Sequence, residues 1–407
     1  MKTYLFITYL LAFSFSTLAQ TENFWVKKSD LGSDTIGSGL KRERAVAFSI
    51  GDYGYVGTGI DTAEIVLNDF WKYDPSNNAW TQIATLPGSE RRNAVAFEIN
   101  GLGYVGTGIN TVNSFDFGSV ILNDFWEYNP TTNSWLPKSA FPGGPVYFAT
   151  AFTIDSKGYV CGGKMGPNWY SNSLWEYKPS IDVWSQKLNF PGGVRYQMSS
   201  FSIGLKAYVG LGTDQDMYRS DIYEYNLITG QWTQKEDLPG SSRACAVAFS
   251  LGQRGFICMG TNGGLLEDLW EFNPFSNSWS VKANYGGSKR KNAIGFTING
   301  KAYVGTGKGN SGKKSSFYEY NPSSVLALEE LDNTISVFPN PVINNLSIIS
   351  ASENIERIEI YSMLGKNVFS SPFHSKINIS ELAPATYILM AYGSDNQFLS
   401  SLKIIKQ

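Results

Sequence analysis

Five arginines stand at one recurring position of this chain, and they are the side chains best suited to binding chemistry. When the sequence is aligned on Phe48, Phe97, Phe152, Phe201, Phe249 and Phe296, the residue six places earlier is Arg42, Arg91, Val146, Arg195, Arg243 and Arg290. A guanidinium is a planar, permanently charged fork that fits carboxylates, phosphates and sulfates. The next two positions add Glu43, Arg44, Arg92, Asn93, Tyr147, Phe148, Tyr196, Gln197, Lys291 and Asn292. Together they predict a locally cationic face, dressed with aromatics and amides, that contacts an acidic glycan or an extracellular protein. The same arginines could instead brace the scaffold by pairing with Asp69, Asp124, Asp221 and Asp268.

Other chemistry is poorly supplied. His374 is the single histidine, so zinc hydrolysis, Ser-His-Asp catalysis and two-histidine copper sites are close to excluded. Cys161, Cys245 and Cys258 make an odd number and no disulfide framework. They read as small buried thiols, with a strained Cys245–Cys258 bridge as the alternative. Asp214-Gln-Asp216 reads as a solvated loop and not a metal site, and no cofactor is expected. Gly57-Thr58-Gly59 resembles half a dinucleotide fingerprint, but no helical pattern follows it and the phrase recurs along the chain. Glu43, Asp61, Asp116, Asp214 and Asp216 could serve acid–base chemistry, although nothing in the sequence fixes their mutual spacing.

The scaffold that must position these residues shows in the composition. The chain has 407 residues and a net charge of 33 − 35 = −2, so no basic field points to nucleic acid. With 41 Gly, 14% aromatics and only 17% charged residues, it suits short strands and tight turns better than helices. A repeat makes this specific. Trp71, Trp126, Trp175, Tyr223, Trp270 and Tyr318 open one phrase, as in Trp71-Lys-Tyr-Asp-Pro75 and Trp270-Glu-Phe-Asn-Pro274, at steps of 55, 49, 48, 47 and 48 residues. Nine residues after the first five openings comes a second tryptophan: Trp80, Trp135, Trp184, Trp232 and Trp279. Upstream lies an aromatic-valine strand ending in glycine, as in Tyr55 to Gly59 and Tyr303 to Gly307, preceded by a strand of small apolar residues such as Ala94 to Phe97.

Each unit is four short strands that cannot bury both faces alone, so radial stacking is expected. The period, the glycines and the spaced aromatics resemble the kelch β-propeller family over residues 22–322. At the end of the aromatic-valine strand most units carry Gly-x-Gly or a lone Gly, and only Gly162-Gly163 keeps two adjacent glycines there. The sixth unit stops at Pro322 without its second tryptophan, and Phe24-Trp25-Val-Lys-Lys28 matches the missing strand. The expected fold is therefore all-β: a six-bladed kelch-type propeller over 20–322, closed by the N-terminal strand, with a linker at 323–334 and a small β-sandwich-like domain at 335–407. Some kelch proteins capture acidic peptides with arginines at this part of the blade, and the resemblance implies that possibility here.

The ends carry address information. Lys2, the apolar run Tyr4 to Phe15 and Thr17-Leu18-Ala19 read as a signal peptide over 1–19, cleaved between Ala19 and Gln20. No later run is long enough for a membrane helix. Residues 335–407 resemble the C-terminal sorting domain of the type IX secretion system through Pro339-Asn340-Pro341, Tyr361 to Lys366, Ile379 to Leu382, Tyr387 to Met390 and Lys403 to Lys406. That resemblance implies handling by the type IX machinery and a secreted or outer-membrane-attached product, expected to be a monomer.

Loop lengths indicate the working face. About six extra residues fall within Gly32–Lys41, and an insertion carrying Asn110, Phe115, Asp116 and Phe117 falls within Ile109–Ile121. Variable loops on a rigid scaffold usually carry function. Binding is favoured over catalysis, with a kelch-type sugar epimerase or mutarotase as the enzymatic alternative.

Overall fold

Alternation sets the innermost strand of every unit. In Val46–Ile50, Val46, Phe48 and Ile50 are buried, whereas Ala47 and Ser49 keep partial exposure. The same pattern repeats in Val95–Ile99, Thr150–Ile154, Ser199–Ile203, Val247–Leu251 and Ile294–Ile298. The computed structural model describes residues 23–33, 37–111, 120–215, 217–322, 335–350, 355–362, 366–393 and 398–407. The leader with Ala19 and Gln20, the linker, and Phe115, Asp116, Asp216 and Phe117 lie outside them. No helix appears among the described residues.

Six antiparallel four-stranded sheets are each led by one of those inner strands. Every inner strand contacts the two flanking it, and the sixth contacts the first, so the sheets stand as blades around one axis. The molecule is a six-bladed β-propeller. Close approach between blades explains an inner glycine. A Cβ on Gly103 would lie 2.4 Å from the Phe48 ring of the preceding blade.

Closure follows the expected route. Phe24–Lys28 pairs antiparallel with Phe317–Asn321, with Trp25 opposite Tyr320, and completes the sixth blade. Trp25 repeats the role of the second tryptophans. Its Nε1 donates to the Ala283 carbonyl at 3.2 Å, as Trp135 does to Ala84 at 2.9 Å and Trp279 to Glu236 at 2.9 Å. Lys28 pairs with Glu319 at 2.8 Å, just as Lys235 pairs with Glu224 and Lys282 with Glu271 in complete blades. Pairing the first strand with the last gives the sixth blade the same four strands as the others and covers the edge of Phe317–Asn321.

Residues 335–407 form two sheets. Ile335–Phe338, Asn345–Ser350 and Lys376–Asn378 make one; Asn367–Pro372, Arg357–Ser362, Ala385–Tyr392 and Phe398–Lys406 make the other. Leu346, Ile348, Ile358, Ile360, Leu389 and Ile404 fill the space between them. His374 is exposed outside any strand, as the sequence suggests. Among the described residues, no helix is long and apolar enough to cross a membrane.

Candidate ligand-binding mouth

Arg42, Arg91, Arg195, Arg243 and Arg290 do not line a surface; each is at most 2% exposed. Four guanidiniums make forked hydrogen bonds to a carboxylate two residues before the aromatic opening of the third-strand phrase in their own blade. Arg42 grips Asp69 at 2.7 and 2.7 Å, Arg91 grips Asp124 at 2.7 and 2.7 Å, Arg195 grips Asp221 at 2.7 and 3.0 Å, and Arg243 grips Asp268 at 2.7 and 2.6 Å. Arg290 meets Ser316 at the corresponding place. The face-lining expectation is corrected for these five: all are sealed inside the blades with their terminal nitrogens donating to carboxylates, carbonyls or hydroxyls. Burial pushes the carboxyls of Asp69, Asp124 and Asp268 up, yet the arginine contacts and a tryptophan Nε1 hold all three below the usual range.

Each guanidinium also donates to one strained carbonyl. The acceptors are Thr58, Thr107, Leu211, Met259 and Thr306, all in left-handed backbone at φ between 57° and 62°. That region disfavours residues with a Cβ. In the unit with Val146, the same place is Gly162 and the acid's place is Ser173. In this unit arginine, acid and strained residue are all replaced, whereas the Arg290 unit changes only the acid, to Ser316, and keeps Thr306 at φ 57°. The following glycine binds the next blade: Gly59 N–H donates to the Arg91 carbonyl at 2.8 Å, and a Cβ there would meet Glu43 O at 2.7 Å.

Two residues past each arginine position the chain reaches the axis. Arg44, Asn93, Phe148, Gln197, Cys245 and Asn292 all take φ between 54° and 60°. Their main chains form a closed circle of hydrogen bonds, each N–H donating to the carbonyl of the preceding member: Asn93 to Arg44 at 3.1 Å, Phe148 to Asn93 at 3.0 Å, Gln197 to Phe148 at 2.9 Å, Cys245 to Gln197 at 3.2 Å, Asn292 to Cys245 at 3.3 Å and Arg44 to Asn292 at 3.1 Å. The backbone is six-fold regular, but the six side chains differ completely. Strained backbone held by its surroundings is a common feature of functional sites.

Around this circle the site divides in two. One side is aromatic: Tyr147 lies 5.3 Å from Phe148, Phe148 lies 6.3 Å from Tyr196, and Tyr196 stacks on Tyr170 at 5.2 Å with the Lys164 amine over both tyrosines. The other side is polar. Glu43, only 3% exposed, accepts from Asn292 Nδ2 at 2.7 Å and lies 3.7 Å from Arg44 and 4.0 Å from Lys308. Asn93 is 7% exposed, and its Nδ2 is buried with no protein partner.

Of the predicted site residues, Arg44, Asn93 and Tyr196 belong to this mouth, whereas Tyr147 is only 1% exposed and packs behind it against Phe148. Arg92 sits beside it, its Nε donating to the Thr111 carbonyl at 2.6 Å. Asn110 closes the neck of its own loop by accepting from Val120 N–H at 2.9 Å. Lys164, Tyr170 and Lys308 were not singled out from sequence, and Cys245 stood out only as a buried or bridged thiol. Reading the column two places after the arginines would have found Cys245; Lys164 lies near the end of the second strand of its blade, Tyr170 at the start of the third, and Lys308 just past the second strand of the sixth blade. The three cysteines are free thiols, and burial pushes Cys161 up to about 12. Asp214 pairs with Arg219, and no group of three metal-ligating side chains occurs among the described residues.

Residues 336–407 match the family described as the secretion system C-terminal sorting domain. The tail is a type IX sorting domain. It implies dealings with the secretion machinery and a product that is secreted or attached at the outer membrane surface. No curated protein matches the chain. Among solved structures it is similar to one titled "Structure of YjhT", with TM-score 0.60 and 18% identity over 71% of this chain and 96% of that one. That likeness concerns the propeller fold.

Proposed function

We propose that this protein is an exported binding module whose kelch-type propeller, residues 20–322 of the chain after leader removal, holds an acidic glycan or an extracellular protein at the axial mouth. The carrying observation is the circle of six unlike side chains on a six-fold backbone, with the Asn93 amide buried and unpartnered. A purely structural ring has no need of that asymmetry. Arg44 and the lysines at 164, 291 and 308 favour an anion, the aromatic side gives apolar contact, and Asn93 offers a donor. The test is an array of acidic and neutral glycans and peptides, probed with the mature full chain at two salt concentrations. Salt-sensitive binding that falls about tenfold or more in a folded Arg44→Ala/Asn93→Ala protein is expected. Binding unchanged in that variant would refute the location.

One observation favours a second reading, a sugar epimerase or mutarotase. Glu43 is a buried carboxylate at the mouth, hydrogen-bonded by Asn292 and flanked by Arg44. Such a group could exchange a proton with a sugar hydroxyl while a guanidinium steadies developing negative charge. Exchange spectroscopy on a panel of free acidic sugars would detect it, with Glu43→Gln abolishing the exchange.

A further inference from the structure

The tail departs from the alternation that a small sandwich calls for. Val337, Val342, Ile348 and Ile404 pack into its core. The residue after each is also large and apolar but faces solvent: Phe338, Ile343, Ile349 and Ile405 are 50%, 63%, 56% and 40% exposed. Outward positions on a half-solvated sheet are ordinarily polar. Strand Arg357–Ser362 of the other sheet follows that rule, with Ile358 and Ile360 buried and Glu359 outward.

Phe338, Ile343 and Ile405 lie on segments that meet at one seam, and Ile349 stands on the strand paired with Ile335–Phe338. Asn340 Nδ2 donates to the Lys403 carbonyl at 2.9 Å, and Asn340 Oδ1 accepts from Ile405 N–H at 2.8 Å. Val342 N–H then donates to the Ile405 carbonyl at 2.8 Å, and Gln407 N–H to the Val342 carbonyl at 2.9 Å. The asparagine amide acts as a piece of strand backbone and seals the edge of Phe398–Lys406. From Lys403 to Gln407 that edge is already paired, so side chains, not strand addition, carry recognition at this end. Phe338, Ser347 and Lys376 stand in a row across the neighbouring sheet, and Lys376 and Lys403 are exposed.

We propose that Phe338, Ile343, Ile349 and Ile405, with Lys376 and Lys403, form the surface by which the tail docks on a protein receptor of the export apparatus. The receptor's contact surface is apolar and edged with acidic groups. This rests on the sorting-domain assignment, since a sorting segment must be recognised by some component, and the patch supplies apolar contact together with charge selectivity.

The test uses the full-length chain in its producing bacterium. Phe338→Ser/Ile343→Ser/Ile349→Ser is compared with a Glu356→Ser/Glu381→Ser surface control and with a chain lacking residues 336–407. Export should fall about tenfold in the triple variant, the effect of losing one strong contact, with an unchanged thermal midpoint and normal export of the control. Lys376→Glu/Lys403→Glu keeps the apolar residues and should also lower export, which covers the case in which the triple variant is unstable. Wild-type export of these variants while the tail-less chain is retained would overturn the docking surface alone. Normal export of the tail-less chain would overturn the sorting reading beneath it. Patch-dependent vesicle binding or dimerisation with export intact would assign the surface to lipid or to a second copy, and so refute the receptor.

Discussion

Replacing Arg91 with valine tests whether the arginines are braces. The guanidinium is fully buried, forks onto Asp124 at 2.7 and 2.7 Å and donates to the carbonyls of Thr107 and Ser89. Breaking a buried ion pair typically costs ~3–5 kcal/mol, because one charge is left uncompensated. The Asp124 side chain is 37% exposed, so water recovers part of that loss and about 3 kcal/mol is expected. The blade led by Thr150–Ile154 suggests a rescue, because it uses valine, glycine and serine at these three places. In Arg91→Val/Thr107→Gly/Asp124→Ser, the orphaned carboxylate is gone. The residue at φ 61° no longer strains, a relief of ~1–2 kcal/mol. The Trp126 Nε1 loses its acceptor, a state that Trp175 already tolerates. The triple variant should therefore lie within ~1 kcal/mol of the native protein by urea denaturation, far from additive. A triple variant no more stable than Arg91→Val would refute the idea that the three positions act as one unit.

Further outcomes concern the seam. Trp25→Ala removes ring contacts with Tyr285 and Tyr320 at 5.0 and 4.9 Å and the bond to Ala283. It should cost about 3 kcal/mol, the low end for a large aromatic because the ring is only partly buried; an unchanged denaturation midpoint would contradict closure. Burial opposes ionisation of Glu319, but hydrogen bonds from Lys28, Lys301 and Asn321 hold its pKa down to about 2. A depressed folded pKa gives stability that is present above the unfolded value, ~4.3, and is lost as pH falls towards 2. Unfolding followed between pH 5 and 2 should show that loss, and Lys28→Met should flatten it.

The repeat, the blade number and the closing strand were legible because each depends on residue types at fixed spacing. A second tryptophan is missing at one end and present at the other, and the pairing of Trp25 with Tyr320 follows from that. The sorting tail was legible for the same reason, through motifs such as Pro339-Asn340-Pro341. Burial of the arginines was half legible. Their partners Asp69, Asp124, Asp221 and Asp268 could be named from sequence, and in one unit Val146, Gly162 and Ser173 replace all three members of the set.

Tertiary structure decided which of two neighbouring columns is sealed inside the blades and which reaches the axis. Arg42 and Arg44 are two residues apart, and a strand pattern places both on one side. A left-handed residue at Arg44 and its equivalents turns the chain at the axis, so one column is sealed inside the blades while the next opens to the mouth. No propensity marks that turn, since Arg, Asn, Phe, Gln, Cys and Asn all adopt it. It is enforced by the circle of hydrogen bonds among six units far apart in sequence, and such a circle exists only once the ring has closed.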